Sequence, residues 1–441
     1  WVANASLNLT LFNVISAPFS INYSPQQKDL SYPYQNNQPF NQFGISPKYK
    51  SVTVHAGYRS MNFSEFTLSG NKFLGGGIEI KPKKSKWSLQ AMSGRFSKAI
   101  NDTLLLENSN GASYYNRYGL AIKAEISGKK SNVNEFTLFR AWDAQNSIQI
   151  SPSNVFEAPQ ENLIVSYHTK RTLIKKMTFE LEYAASAYTR DITSDRVNLE
   201  GSTYLDNLGV LFKSRASSQY NGALNTTINY TFGKNGVKLG FRRIGPEYTS
   251  MGIPFMNNDF QDITLAWNRK IFKQKINLSL SGGLQENNLN KDKVSKMTRV
   301  ISNTQIAYQV NKKLNLRVNY SNFNSSTQMI RINQLDSLNY YQVTNNVGGG
   351  FNYALGKNVN VKKMALANVN YQVASDINNI EAKNMNTIIG YNVNLTKRNL
   401  IFSTMLNLNA NSVIGFENLG IGPLINISKV IKKKVKLGLS L

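Results

Sequence analysis

Apolar and polar residues alternate along this chain in runs of about ten, and such runs recur nearly end to end. In one, Met177, Phe179, Leu181, Tyr183, Ala185 and Ala187 alternate with Thr178, Glu180, Glu182, Ala184, Ser186 and Tyr188. In another, Leu314, Leu316, Val318 and Tyr320 alternate with Asn315, Arg317, Asn319 and Ser321. Successive side chains of a β-strand project to opposite faces, so each run makes a strip with one apolar and one polar face. A chain that writes this strip roughly twenty times is constrained to a sheet with hydrocarbon against one face and water against the other. The pattern predicts an all-β fold, an antiparallel up-and-down transmembrane β-barrel of about 22 strands.

Composition fits that reading. Hydrophobic residues make up 41% of the 441, too few for a bundle of membrane helices, and no run of 18 apolar residues occurs. A barrel escapes this test because its apolar residues are interleaved with polar ones. Cysteine is absent, which excludes disulfides, zinc–thiolate sites and thiol chemistry. The chain starts at Trp1 and reads as a mature or trimmed form, and its last residues are still in mid-pattern.

The net charge is +26, from 51 Lys and Arg against 25 Asp and Glu. Nucleic acid is the tempting partner, but the positions of the lysines argue against it. They cluster in short turns, such as Lys83, Lys84 and Lys86, Lys175 and Lys176, Lys312 and Lys313, and Lys432 to Lys434. Charge dispersed over turns is solvated cap, and its better functional reading is attraction to anionic lipid headgroups, including lipopolysaccharide.

The Lys-rich turns set the topology. Pro82–Lys86, Gly128–Ser131, Ile174–Lys176, Gly233–Gly236, Phe272–Gln274, Asn311–Lys313, Gly356–Lys363, Lys397–Asn399 and Ile431–Lys434 each join two alternating runs tightly. Longer polar loops fall between them, among them 101–113, 146–160, 192–206 and 325–339. Short turns on one rim and long loops on the other are the transmembrane-barrel asymmetry. No composition break divides the chain, so residues 1–441 read as one barrel domain. One segment, 24–50, breaks the period. It holds Pro25, Pro33, Pro39 and Pro47 with Phe40 and Phe43. Counted back from Pro82–Lys86 it falls on the short-turn side, and Pro39, Phe40, Phe43 and Pro47 are candidates for a lumen constriction.

Several strings carry a family resemblance. They are Pro39-Phe40-Asn41-Gln42-Phe43-Gly44-Ile45-Ser46-Pro47, Val54-His55-Ala56-Gly57-Tyr58-Arg59, Phe73-Leu74-Gly75-Gly76-Gly77-Ile78-Glu79 and Ala185-Ser186-Ala187-Tyr188-Thr189-Arg190-Asp191. The chain resembles a family of large outer-membrane β-barrel proteins of Bacteroidota, most closely over residues 4–210. The resemblance implies a barrel fold and an outer-membrane location. It implies no activity.

The polar face carries charges of both signs. Lys123, Lys170, Arg190, Lys238, Arg242 and Arg317 share it with Glu125, Glu180, Glu182 and Asp262. Lining a lumen, such charges set ion preference, and the basic surplus predicts mild anion preference. No enzyme is expected. Only His55 and His168 could serve as bases; His168 points to the lumen in this phase, and His55 reads as a structural hydrogen-bonding residue. Metal sites and cofactors are not expected either, since Asp191, Asp195 and Asp206 are scattered. Two functions remain: a channel, or barrel part of a transport or translocation system; or a plugged structural or adhesive scaffold that binds a protein partner through its long loops or lumen.

Overall fold

The computed structural model describes residues 3–12, 14–25, 41–83, 85–99, 115–129, 132–148, 158–197, 211–329, 340–356, 358, 360–376, 380–431 and 435–440. They form one antiparallel sheet of 23 strands, with no α-helix among the described residues. The all-β, up-and-down architecture expected from the alternation is the observed one. Neighbours in sequence pair antiparallel along the sheet, with one exception at the third and fourth strands.

The chain divides into two compact units. Unit 1 holds β1 (Ala3–Leu11), β2 (Ile15–Tyr23), β3 (Gln42–Ile45), β4 (Lys48–Tyr49), β5 (Val52–Ser60), β6 (Lys72–Ile80), β7 (Trp87–Ser97), β8 (Asn116–Ser127) and β9 (Val133–Ala144). It also takes nearly all of β10 (Glu161–Ile174) and β11 (Met177–Thr189), and the first part of β12 (Ser218–Phe232). Unit 2 takes the rest of β12 and most of β13 (Asn235–Ile244). It continues through β14 (Phe260–Ile271), β15 (Ile276–Asn287), β16 (Ser295–Gln309), β17 (Leu314–Met329) and β18 (Tyr340–Leu355). It ends with β19 (Val361–Asp376), β20 (Glu381–Leu395), β21 (Leu400–Val413), β22 (Phe416–Ile431) and β23 (Val435–Ser440).

β3 and β4 are two pieces of a single stave. Both pair with β2 on one side and β5 on the other. The break falls at Ser46-Pro47, where proline has no N–H to give the ladder. The Ser46 N–H still reaches Pro18 O at 3.0 Å, and Pro47 O accepts from Val54 N at 2.9 Å. Counted this way, the 23 strands make 22 staves among the described residues. This corrects the reading of segment 24–50. Gly44 and Pro47 hide a strand there, and missing one strand inverts the parity. Tyr23, where β2 ends, and Gln42, where β3 begins, therefore lie at the long-loop end of unit 1, opposite the Lys50-Ser51 turn.

In unit 2 the register shows both faces in full. One row across β14 to β22 runs Trp267, Leu280, Thr304, Tyr320, Val347, Tyr371, Met385, Ala410, Leu419. The row behind it runs Asn268, Ser279, Gln305, Asn319, Gly348, Asn370, Asn386, Asn409, Gly420. A one-residue slip would exchange the two faces, so burial of the apolar one fixes the register. That apolar face is open in the isolated chain: Val347, Ile389 and Leu419 are 50%, 52% and 69% exposed. Loops shorten towards the C-terminus. β21 and β22 are joined by Ile414-Gly415 alone, both at positive φ, 28° and 72°. That is the geometry a two-residue hairpin with right-handed strand twist requires.

Candidate functional site

Unit 1 folds one of its own loops against its polar face. The connection Met61–Asn71, between β5 and β6, carries four large apolar side chains in a stretch that a water-exposed loop would fill with polar ones. Met61, Phe63, Phe66 and Leu68 are 3%, 2%, 0% and 0% exposed. Burial of each is worth about 1.5–3 kcal/mol, which outweighs what the loop gains by staying in water. The sheet makes room by using small residues on that face. A Cβ at Gly77 would fall 2.4 Å from the Met61 sulfur, and one at Gly119 would fall 1.9 Å from the ring of Phe96. Phe73, Phe96 and Phe139 fill the remaining space in a run of ring contacts, with centroids 6.2 Å apart at each step.

A second loop, Gly245–Asp259, holds the first in place. Tyr248 packs edge-on to Phe66, with centroids 6.3 Å apart, and its hydroxyl donates to Phe66 O at 2.9 Å. Burial pushes the Tyr248 phenol far above its ordinary range, so it stays a neutral donor. Ser250 donates to Thr67 O, and Gly252 forms a parallel bridge with Leu68. A Cβ at Gly252 would fall 2.5 Å from Thr67 O, so only glycine permits that approach. Asn162, fully buried on β10, ties this second loop to the wall. Its amide donates to Ser186 Oγ and Ala187 O, and its oxygen accepts from Met251 N at 3.1 Å. Inside the first loop, Ser64 Oγ accepts from the N–H groups of Phe66 and Thr67, a tight polar turn at the tip.

Charged groups surround the tip. Lys123 donates to Phe63 O at 3.0 Å and lies 3.7 Å from Glu135. Glu135 lies 3.5 Å from His168 Nδ1, and His168 Nε2 meets Glu180 at 3.0 Å. Glu180 in turn lies 3.6 Å from Lys170. The Asn225 amide donates to Glu65 at 2.9 Å, and Ser166 donates to Glu182 at 3.2 Å. Each carboxylate on this wall thus has a donor or cation in reach, as charges on a half-buried surface require.

Of the residues singled out in the sequence, Lys123, Lys170, Glu180 and Glu182 meet on this wall. Glu125 shares it and accepts from Ser88 and Ser127. Arg190 lies just past the end of β11, exposed. Lys238, Arg242, Asp262 and Arg317 belong to unit 2. Arg242 and Asp262 pair there at 2.9 Å, Lys238 is exposed, and Arg317 is exposed opposite Gly350 and Ala307. Pro39 and Phe40 lie outside the described residues. Phe43 is 61% exposed on the face of β3 opposite Gly44, away from the inserted loop, and Pro47 marks the stave's break. Phe43 therefore belongs to the apolar face and Pro47 to the broken stave, and the residues laid against the polar face are those of Met61–Asn71. Glu135 was legible from strand parity alone, as the neighbour of outward Phe136. The loop itself was not, because its apolar residues pass for strand.

His55 sits between Ser46 and Glu79, with Ser46 Oγ 2.9 Å from Nδ1 and Glu79 Oε1 3.2 Å from Nε2. The trio has the members of a hydrolase triad but lacks its working parts. Ser46 is 8% exposed, its N–H is spent on Pro18 O, and the next residue is Pro47, which has no N–H for an oxyanion hole. The trio ties the broken stave to β5 and β6, the structural role expected of His55. Among the described residues no group of three His, Asp or Glu side chains could hold a metal ion.

The sequence matches no family model and no curated protein. Three solved structures align with it at low similarity. A bacterial polysaccharide outer membrane secretin aligns at TM-score 0.34 and 7% identity, over 78% of this chain and 98% of that one. Acinetobacter baumannii OccAB4 aligns at TM-score 0.36 and 8% identity, over 97% of each chain. OccAB2 of the same organism aligns at 0.34 and 11%, over 97% and 96%. The functional reading below rests on this chain's own geometry.

Proposed function

We propose that this chain is a bacterial outer-membrane β-barrel that acts as a channel, or as the barrel part of a transport system, with passage narrowed by Met61–Asn71. The Bacteroidota barrel family is the origin this reading favours, residues 1–441 forming one barrel domain. Two features support the membrane placement. The apolar rows of unit 2 stay open in the isolated chain, and on the apolar face of unit 1 aromatic side chains pair, Tyr118 with Trp142 near the strand ends and Phe136 with Tyr167. The single observation that carries the functional reading is the inserted loop: a chain that lays an apolar loop against the polar face of its own sheet is controlling the space beside that face. No reaction is assigned, since the one triad-like trio has neither an exposed nucleophile nor an oxyanion hole.

Single-channel recording in a planar bilayer tests this. Intact protein should give small or intermittent steps. Replacing Asn62–Gly70 with a short Gly-Ser link should raise the conductance several-fold. Silence from both forms after proven insertion would replace the channel with a plugged scaffold that displays its long loops to a partner.

A further inference from the structure

Arginines stand on the apolar face of unit 1, where charge is costly. Across β7 to β10, one row of that face reads Arg95, Tyr118, Trp142, Glu161. Arg140 lies one row nearer the turns, opposite Leu120 and Leu163. Its neighbours along the same face are Ile122, Leu138 and Val165. The guanidinium of Arg140 lies over the Trp142 ring at 5.4 Å and reaches one carboxylate among the described residues, Glu161, at 3.7 Å. The chain then brings more positive charge to the spot. After β11 it folds back so that Phe212 is buried against Leu163 and Ala187, on the apolar side. This sets exposed Lys213 and half-buried Arg215 beside Glu161, which takes a hydrogen bond from the Lys213 backbone. The Nε–H groups of Arg140 and Arg215 are buried atoms with no acceptor in the structure.

We propose that Arg140, Arg215 and Lys213 hold the phosphate of a lipid headgroup at the long-loop end of the apolar face. The inference rests on the membrane reading. Arg140, Arg215 and Lys213 face one mostly buried carboxylate among the described residues, Glu161, so the site carries positive charge to be neutralised. Its height matches the headgroup level, because the row includes the stacked pair Tyr118 and Trp142 that belongs at a membrane interface. The Arg140 side chain is 31% exposed, and Arg215 gives one terminal N–H to Ser194 O at 2.8 Å, so the remaining terminal N–H groups, not the buried Nε–H groups, are the ones to meet phosphate oxygens, in a planar geometry that lysine matches less well. The basic turns elsewhere lie at the opposite strand ends and are built from lysine, so net charge alone does not explain this group.

The test uses the full chain refolded in micelles that contain lipid A, with bound lipid counted by native mass spectrometry. Wild type should retain bis-phosphorylated lipid A about tenfold better than the dephosphorylated lipid. Arg140→Gln with Arg215→Gln should abolish that preference, and Arg140→Lys with Arg215→Lys should keep part of it. Arg317→Gln, on the polar face of unit 2, should change nothing. Equal retention of both lipids by wild type, or preference that survives the double Gln variant in a folded barrel, would overturn the site. So would displacement by millimolar inorganic phosphate, which would mark an anion site and not a headgroup site. Failure of wild type to insert into vesicles overturns the membrane reading as well and separates the two.

Discussion

The polar faces of the two units are built to different plans. Unit 1 spends glycine and alanine on its wall and fills the space with a loop, three phenylalanines and a chain of paired charges. Unit 2 spends asparagine. Asn384 donates to Asn409 and Asn411, and Asn386 donates to Asn407 at 3.0 Å. Glycines Gly348 and Gly350 leave room for Asn319, Asn368 and Asn370, whose amides occupy the places a Cβ would take. At these positions the neutral amides bond to one another across strands, without an inserted loop as partner. Sheets with the same alternation can therefore hold a packed loop in one region and present a plain hydrophilic wall in another.

The largest break in that comparison should come from the loop's anchor. Phe66→Ala should destabilise the folded protein by about 3–5 kcal/mol, while Asn386→Ala in the ladder should stay within about 0.5 kcal/mol. Denaturant unfolding in micelles, followed by tryptophan fluorescence, measures both, and similar costs would erase the distinction. Next comes Gly119→Val, which drives a side chain into Phe96 and should cost about 1–3 kcal/mol. Gly422→Val, with nothing within 4 Å of the added Cβ, should be tolerated. A smaller effect is due from Tyr248→Phe, which leaves Phe66 O without its donor at a cost of about 1 kcal/mol. Tyr320→Phe loses an exposed hydrogen bond to Asn345 and should cost less. The smallest effect concerns ions. Arg317 is an exposed cation among neutral neighbours, so Arg317→Glu should move the reversal potential towards cations without altering stability. An unchanged reversal potential would place selectivity wholly in unit 1.

Most of the sheet was legible in the sequence because its signal is local. Alternation over ten residues fixes a strand, and lysine-rich turns fix its ends. What was not legible came from residues that suit two environments. Met61, Phe63 and Thr67 alternate with Asn62 and Ser64 as strand residues do, yet they belong to a loop whose place is set by Tyr248 and Gly252, more than 170 residues away. Phe43 sits in a proline-rich stretch that reads as irregular but is part of a stave. The charges of the site were found because they obey strand parity, but their meeting on one wall depends on pairing between strands. His168 illustrates this, drawing together Glu135 from β9 and Glu180 from β11.

The most direct test of the loop's role exploits the absence of native cysteine. Glu65→Cys with Asn225→Cys puts thiols at the two ends of the 2.9 Å hydrogen bond between tip and wall, and a short bis-methanethiosulfonate reagent bridges them reducibly, because side chains of this length hold their Cβ atoms too far apart for a direct disulfide. Single-channel current is then recorded before and after reduction. The account predicts that the cross-link forms, that the cross-linked protein carries a small and steady current, and that reduction restores larger or more frequent openings. A cross-link that forms with identical currents in both states would show that Met61–Asn71 does not control passage, and no cross-link at all would show that the loop does not rest against that wall.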